Sequence, residues 1–183
     1  MIKTDTGENN GSVRRLDWRA VLVCIVLIGP VQRAGAEVVT VVSPKGPLPS
    51  VLWGTTKVGE GLVDKDAAAD LCDYLSRVSG RKIAPLAKPA AEGVIIHVGA
   101  DAFVRKHAPE VEKLFADGYI VKYVARGGRG HVILAGRMGP SSQWAVEQFL
   151  KDFCGVRWLF PYPKHGEVVP SRPTITIDSA LSK

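Results

Sequence analysis

The chain has 183 residues, enough for about one domain, with 46% hydrophobic residues and a formal net charge of +6. Its charges are scattered, and the densest basic run, Arg105-Lys106-His107, is short and has no nucleic-acid-reading element beside it. Composition therefore argues against a nucleic-acid-binding protein. Neither a CxxC pair nor two histidines at metal-ligand spacing occurs, so no metal site is predicted.

Residues 1–36 have the features of a cleaved secretory signal. Basic residues precede an apolar run at 20–28, and Ala34-Gly35-Ala36 supplies the small residues that a signal peptidase requires. The run is far shorter than the ~20 residues that span a bilayer, so a retained membrane anchor is the less favoured alternative. Cleavage near Ala36 predicts a secreted or periplasmic protein without membrane attachment. Loss of the segment's five basic and three acidic residues would lower the net charge from +6 to +4.

The first half of the mature chain predicts three strands and a helix. β-branched residues at 38–42 favour a strand, and a proline- and glycine-rich loop separates it from a short strand at 51–53. Apolar residues recur at three- and four-residue spacing over 64–79, and Gly80 follows as a C-terminal cap, which predicts a helix. Residues 94–98 are apolar without clean alternation, as expected of a strand inside a sheet.

The second half predicts a split helix, a β-hairpin, a further helix and two strands. The helical stretch 101–115 contains Pro109, which is expected to start a second helical piece. Strands at 119–125 and 131–135 flank a glycine-rich connection, which predicts a hairpin. A helix over 141–153 is capped by Gly155. The last strand candidates are 157–160 and 174–177.

This order of elements predicts an α/β fold of α+β-like type, in which helices pack on a mixed β-sheet as a sandwich. The hairpin excludes a purely parallel, doubly wound sheet. Cys72 and Cys154 are expected to be small buried side chains, although export would permit a disulfide between them. His97 lies in an apolar strand, where a hydrogen-bonded core histidine is the favoured interpretation. No catalytic residue, cofactor-binding residue or cofactor is predicted.

The aromatic and arginine-bearing segment 154–161, followed by Gly166-Glu167-Val168, holds the candidate site. Its possible interface or sugar-contact residues are Arg157, Trp158, Phe160 and Glu167. Aromatic area favours interface or core packing over direct stacking on sugar rings, an alternative that also involves Trp144 and Tyr162. Arg157 could pair with a carboxylate across an interface, and Glu167 could satisfy arginine or backbone donors.

Several short motifs, in order, resemble a known domain. They are Ala67-Ala68-Ala69-Asp70-Leu71 with Tyr74-Leu75 and Val78-Ser79-Gly80, Val98-Gly99, Asp117-Gly118-Tyr119, Ile133-Leu134-Ala135-Gly136, Ala145-Val146 with Phe149-Leu150, and Gly155-Val156-Arg157-Trp158-Leu159-Phe160-Pro161. From about Glu37 to Ile177 the chain resembles the N-terminal domain of bacterial α-glucuronidases. That domain also precedes hexosaminidase-type barrels, as a hexosaminidase domain 2-like sandwich, and occurs in related secreted proteins.

The resemblance implies a domain that precedes a (β/α)₈ barrel carrying the catalytic carboxylates, and it implies no catalytic residue here. A barrel takes ~250 residues, so we expect residues 37–178 to be the accessory domain, 179–183 a tail, and the barrel to be absent. The leading hypothesis is an exported, non-catalytic domain that braces or docks to a glycoside hydrolase barrel, fused or adjacent, in polysaccharide breakdown. The alternative is a stand-alone carbohydrate-binding or protein-interaction module. A self-contained hydrolase is less favoured, because a chain of this size shows no catalytic signature.

Overall fold

Strands and helices alternate along the chain in a computed structural model that describes residues 37–55, 57–58, 61–159 and 166–183. The strands of these residues are β1 (Val38–Val42), β2 (Ser50–Trp53), β3 (Lys57–Val58), β4 (Gly61–Leu62), β5 (Ile95–Val98), β6 (Tyr119–Arg126), β7 (Arg129–Gly136), β8 (Arg157–Trp158), β9 (Glu167–Val168) and β10 (Ile175–Asp178). The α-helices are α1 (Val63–Ser79), α2 (Ala102–His107) and α3 (Gly139–Phe149). A 3₁₀ turn at Pro109–Lys113 follows α2, and a π-helical turn at Leu150–Cys154 follows α3. The predicted mixed α/β class is confirmed.

The main sheet has four strands in the order β2-β5-β7-β6. β2, β5 and β7 are parallel, and β6 is antiparallel to β7. The predicted hairpin is therefore present, and Gly127 and Gly128 at its turn both have positive φ, as a tight two-residue turn requires. β5 lies inside the sheet with all four residues buried, which explains its apolar run without alternation.

Helices cover both faces of this sheet. On one face, α1 and α3 contribute Leu71, Leu75 and Phe149 to a core that also contains Ile96 and Leu134. On the opposite face, α2 and the 3₁₀ turn form a smaller core with the alternate strand residues. Its buried members are Val104, Ala108, Val111, Ile120, Ile133 and Ala135. The period of two along β7 thus divides its side chains between two cores.

Two further segments close the fold. β1 and β10 pair antiparallel, with Val38 opposite Asp178, and their inward side chains join the larger core. Residues 179–183, expected to be a tail, lie along β6: the Tyr123 amide donates to the Leu181 carbonyl at 2.9 Å. At the other edge of the sheet, the Leu86 amide donates to the Val51 carbonyl at 2.8 Å.

The helix ends and the Pro109 break follow the sequence closely. Gly80 and Gly155 both have positive φ where α1 and the π-helical turn end, as a left-handed cap requires. Pro109 starts the 3₁₀ turn, one residue after the α2 C-cap at Ala108. Of the strand expected at 157–160, Arg157–Trp158 form β8, which pairs among the described strands with β9, outside the main sheet.

Cys72 and Cys154 are both buried and free, so the disulfide left open by the sequence does not form in this structure. Burial raises the pKa of each thiol to about 12. In the part of the chain that the structure describes, no helix is long and apolar enough to cross a membrane.

Candidate functional site

Three of the four predicted site residues meet where β8 pairs with β9. Trp158 lies opposite Glu167 in this short antiparallel ladder, and the Leu159 amide donates to the Gly166 carbonyl at 2.6 Å. Arg157 precedes Trp158 on β8. Phe160 lies outside the described residues. The sequence segments on either side of residues 160–165 are therefore brought together as one small hairpin-like surface.

Helix α1 holds this surface in place through Tyr74 and Arg77. The Trp158 indole Nε1 donates to the Tyr74 hydroxyl at 2.9 Å, and the two rings meet edge to face with centroids 5.5 Å apart. The Tyr74 hydroxyl donates in turn to Glu167 Oε1 at 2.9 Å, and Arg77 donates to Glu167 Oε2 at 2.8 Å. We call Tyr74, Arg77, Trp158 and Glu167 the Trp158 cluster.

The electrostatics of the cluster keep Glu167 ionised. Hydrogen bonds from Arg77 and then from Tyr74 lower the pKa of the Glu167 carboxyl below its ordinary value. Burial is the largest cause that raises the pKa of the Tyr74 phenol, so its hydroxyl stays protonated and can donate. Both oxygens of Glu167 therefore have donors, in agreement with the interpretation that this residue satisfies an arginine.

Arg157 bonds to backbone carbonyls of its own domain. Its guanidinium Nη1 donates to the Lys151 carbonyl at 2.6 Å and to its neighbour's carbonyl, that of Val156, at 2.7 Å. Carbonyls at the end of a helix have no partner within it, and a charged donor satisfies them well. Arg157 thus ties β8 to the π-helical turn within this domain, rather than pairing with a described carboxylate.

An aromatic groove lies beside the cluster. One face of α3 and the π-helical turn supplies Trp144, Glu147, Gln148 and Lys151 at three- and four-residue spacing. Trp158 and Tyr119 complete the lining. Trp144 is 40% exposed and Trp158 38% exposed, whereas the residues of the larger core are buried. Leu159 and Val168 add exposed apolar surface on the β8–β9 pair.

Tyr74 and Arg77 were not predicted as site residues. They are one turn apart on α1, and neither is among the fully buried residues that the apolar spacing identified. The sequence signal that could have identified them was a tyrosine and an arginine three residues apart, beside the buried face of a helix. Both residues bond to Glu167, which lies 90 or more positions further along the chain, and local sequence patterns carry no information on such contacts.

A second cluster of polar side chains lies on the opposite face of the sheet, under α2. His97 is 3% exposed and contacts the Asp101 carboxylate through Nδ1 at 2.5 Å and His131 Nδ1 through Nε2 at 3.0 Å. Phe103 stacks on both imidazoles. The interpretation of His97 as a hydrogen-bonded core histidine is confirmed, while its partners were not foreseen.

Among the described residues, no three His, Cys, Asp or Glu side chains are grouped so that they could hold a metal ion. Neither the comparison with protein-family models nor the search of curated proteins found a match to this chain.

Proposed function

We propose that residues 37–178 form an exported, non-catalytic accessory domain of a carbohydrate-active enzyme, of the type found before α-glucuronidase and hexosaminidase barrels. Its fold would be the hexosaminidase domain 2-like sandwich, and its natural partner a glycoside hydrolase barrel, fused or adjacent, in polysaccharide breakdown. The mixed sheet with helices on both faces is compatible with that fold. The signal-like residues 1–36 support export to the periplasm or the medium.

The observation that carries the docking role is a tryptophan that is both exposed and held in one orientation. Trp158 is 38% exposed, yet the Tyr74 hydroxyl and ring fix its indole. Binding usually costs free energy when a free side chain must be ordered, and a fixed indole has already lost that freedom. Tryptophan is also among the residues that most often dominate binding energy at protein interfaces.

The carboxylate beside it supports a non-catalytic role. A general acid in glycoside hydrolysis needs a raised pKa and a second carboxylate at a defined distance. The pKa of Glu167 is instead lowered by Arg77 and Tyr74. We therefore assign Glu167 to holding the β8–β9 pair on α1.

The docking role can be tested in trans. The purified chain is added to a bacterial α-glucuronidase barrel from which its own N-terminal domain has been deleted, and the melting temperature of the barrel is measured. Binding to the folded barrel should raise that temperature with increasing chain concentration. Trp158→Ala should remove the rise. Phe115→Ala, which deletes a 90% exposed aromatic from a different loop, is the matched control and should keep it.

Either of two results would contradict the docking role: no change in barrel stability with the wild-type chain, or equal loss with both variants. The non-catalytic part is tested separately by assaying the chain alone on aryl glucuronides and N-acetylhexosaminides. We expect no turnover. Robust turnover that Glu167→Gln abolishes would overturn the assignment.

The aromatic groove favours a second candidate, a carbohydrate-binding module. Trp144 and Trp158 offer two apolar ring surfaces, and Glu147, Gln148 and Lys151 offer donors and acceptors for hydroxyl groups. This candidate predicts saturable calorimetric binding of xylan or chitin oligosaccharides to the isolated chain. Trp144→Ala and Trp158→Ala should each weaken it without unfolding the domain. Absence of binding in the wild-type chain would rule this candidate out in favour of docking.

A further inference from the structure

Helix α2 is attached to the sheet by a layer of stacked rings. Phe103 of α2 is nearly parallel to His97, with centroids 4.5 Å apart, and to His131, with centroids 4.0 Å apart. The His107 ring of α2 lies behind Phe103 at 4.4 Å. His97 and His131 are 3% and 8% exposed, so two titratable imidazoles form the floor under a six-residue helix.

A hydrogen-bonded chain runs through this layer and ends at the helix itself. Asp101, the N-cap of α2, accepts from the Val104 amide through Oδ1 and contacts His97 Nδ1 through Oδ2. His97 Nε2 contacts His131 Nδ1. The protonation of Asp101, His97 and His131 therefore decides how firmly the first turn of α2 is held.

The chain can hold a limited number of protons. The contacts at His97 Nδ1 and between the two rings each use one proton, and two neutral imidazoles supply both. A third proton, carried by His97, leaves both contacts intact, and its charge is balanced by the adjacent Asp101 carboxylate. A fourth proton would place N–H groups of both rings against each other and break the ring-to-ring contact.

We propose that the Asp101–His97–His131 chain is an acid-sensitive latch: it holds α2 on the sheet while the two rings carry no more than three protons and releases the helix when a fourth binds. Release would expose the smaller core, including Ile133 and Ala135, to solvent. The fold on the α1 and α3 face does not depend on the latch, because its core is separate.

The surroundings make the fourth proton unfavourable in the closed state. The charged or titratable groups that act on the two rings come from α2 and from both strands of the hairpin. They are Asp101, His107, Arg126 and Arg129. All except Asp101 are basic, so a second imidazolium has no further counter-ion. β2 contributes only Leu52 and Trp53, which line a surface cavity beside His97 and Asp101.

The direction of the pH response follows from His131. Burial, and then the positive charge of His97, lower the pKa of His131 below 6.5. The closed state therefore binds fewer protons than the open one in mildly acidic solution. Closure is complete above about pH 6.5 and weakens as the pH falls through and below that value. Asp101 acts in the same sense: burial opposes its ionisation, but the bond and charge of His97, together with the backbone donors of Val104 and Phe103, outweigh burial and lower its pKa.

The test is amide hydrogen exchange of the full chain between pH 7.5 and 5.0, corrected for the intrinsic pH dependence of exchange. The reporters are the α2 amides of Arg105 and Ala108, which donate to the carbonyls of Asp101 and Val104. Once His131 titrates, we expect their corrected exchange to rise by up to about tenfold per pH unit. Amides in the middle of α1 should not change over this range.

His131→Asn is the decisive variant, since the asparagine oxygen can still accept from His97 but cannot take up a proton. Its α2 exchange should lose the acid response. His107→Asn removes a histidine of α2 that lies outside the hydrogen-bonded chain and should keep the response. An unchanged response in His131→Asn, or a response lost in His107→Asn, would overturn the latch.

A measurement on the wild-type chain decides the matter even if His131→Asn does not fold. Nitrogen NMR of the imidazole rings gives the pH at which His131 becomes doubly protonated. That midpoint should lie below 6.5 and coincide with the rise in α2 exchange. Double protonation of His131 with α2 exchange unchanged would disprove the proposal.

Discussion

Tyr74 connects the residues of the Trp158 cluster. Its hydroxyl accepts from the Trp158 indole and donates to Glu167, so a single oxygen satisfies two polar groups from different strands. The guanidinium of Arg77 also lies 5.0 Å from the Tyr74 ring centroid, within range of a cation–π contact. A single side chain on α1 therefore positions both the exposed indole and the carboxylate that faces it.

Replacing Glu167 should alter the acid dependence of stability. The lowered pKa of Glu167 means that its contribution is present above its ordinary pKa and is lost as the pH falls through the folded-state value. Glu167→Gln should therefore flatten the loss of stability on the acid side. The effect at neutral pH should be below ~1 kcal/mol, because Arg77 is 43% exposed and solvent screens the pair. Urea unfolding measured from pH 7 to 3 checks this.

Asp73→Asn is the matched control. Asp73 is the other carboxylate bonded to Arg77, at 3.4 Å, but it is 64% exposed and contacts neither Tyr74 nor Trp158 in the described contacts. Its removal should leave the acid dependence nearly unchanged. The role assigned to Glu167 fails if the two variants behave alike.

At the scale of elements, the first turn of α1 is fixed by its contact with the end of β5. Asp64 is fully buried, and a Cβ at Gly99 would overlap its carboxyl group. Gly99 also has a φ of +79°, which L side chains rarely adopt. A glycine is therefore required after β5 for two reasons: the backbone has a positive φ there, and the Asp64 carboxyl group fills the space that a Cβ would need.

Gly99→Ala and Gly80→Ala separate these two requirements. Gly80 has a similar φ of +73° but open space where a Cβ would lie. Gly80→Ala should cost about 1 kcal/mol of unfolding free energy from backbone strain alone. Gly99→Ala should cost ~3 kcal/mol or more, because the carboxyl group must also move. Denaturant unfolding of both variants measures the difference, and equal costs would show that Asp64 can move freely.

The long elements could be predicted because their signals are local. Apolar spacing marked α1, Pro109 marked the break after α2, and the glycines of the hairpin marked the β6–β7 turn. The short strands β3, β4 and β9 have two residues each, too few to show any period. Their pairing depends on tertiary packing, which a single sequence does not display.

The same division holds for the candidate site. Trp158 and Glu167 were identified because aromatic and charged residues are dense near the end of the chain. In the structure β8 pairs with β9 rather than with the main sheet, and Trp158 of β8 bonds to Tyr74, which is 84 positions away. A local sequence pattern does not show so distant a contact. The buried proximity of His131 to His97 likewise requires the sheet order β5-β7, which periodicity does not reveal.

At the scale of the whole molecule, the thiols report on global unfolding. Burial raises the pKa of Cys72 and Cys154 to about 12, so at pH 8 only about one thiol in ten thousand is ionised. Iodoacetamide should therefore leave both residues unmodified in the folded chain and alkylate both in urea. Mass spectrometry of peptides containing each residue checks this. Fast labelling of only one in the native chain would show that its end of the core opens locally.

Both edges of the main sheet are covered by irregular chain. Residues 181–183 bond to the outer edge of β6, and Leu86 bonds to the outer edge of β2. Exposed strand edges are templates on which a second chain can add a strand, the first step of aggregation. The last residues of the described chain therefore protect solubility as well as completing the fold. They occupy the amides of Val121 and Tyr123 that would otherwise recruit a neighbouring molecule.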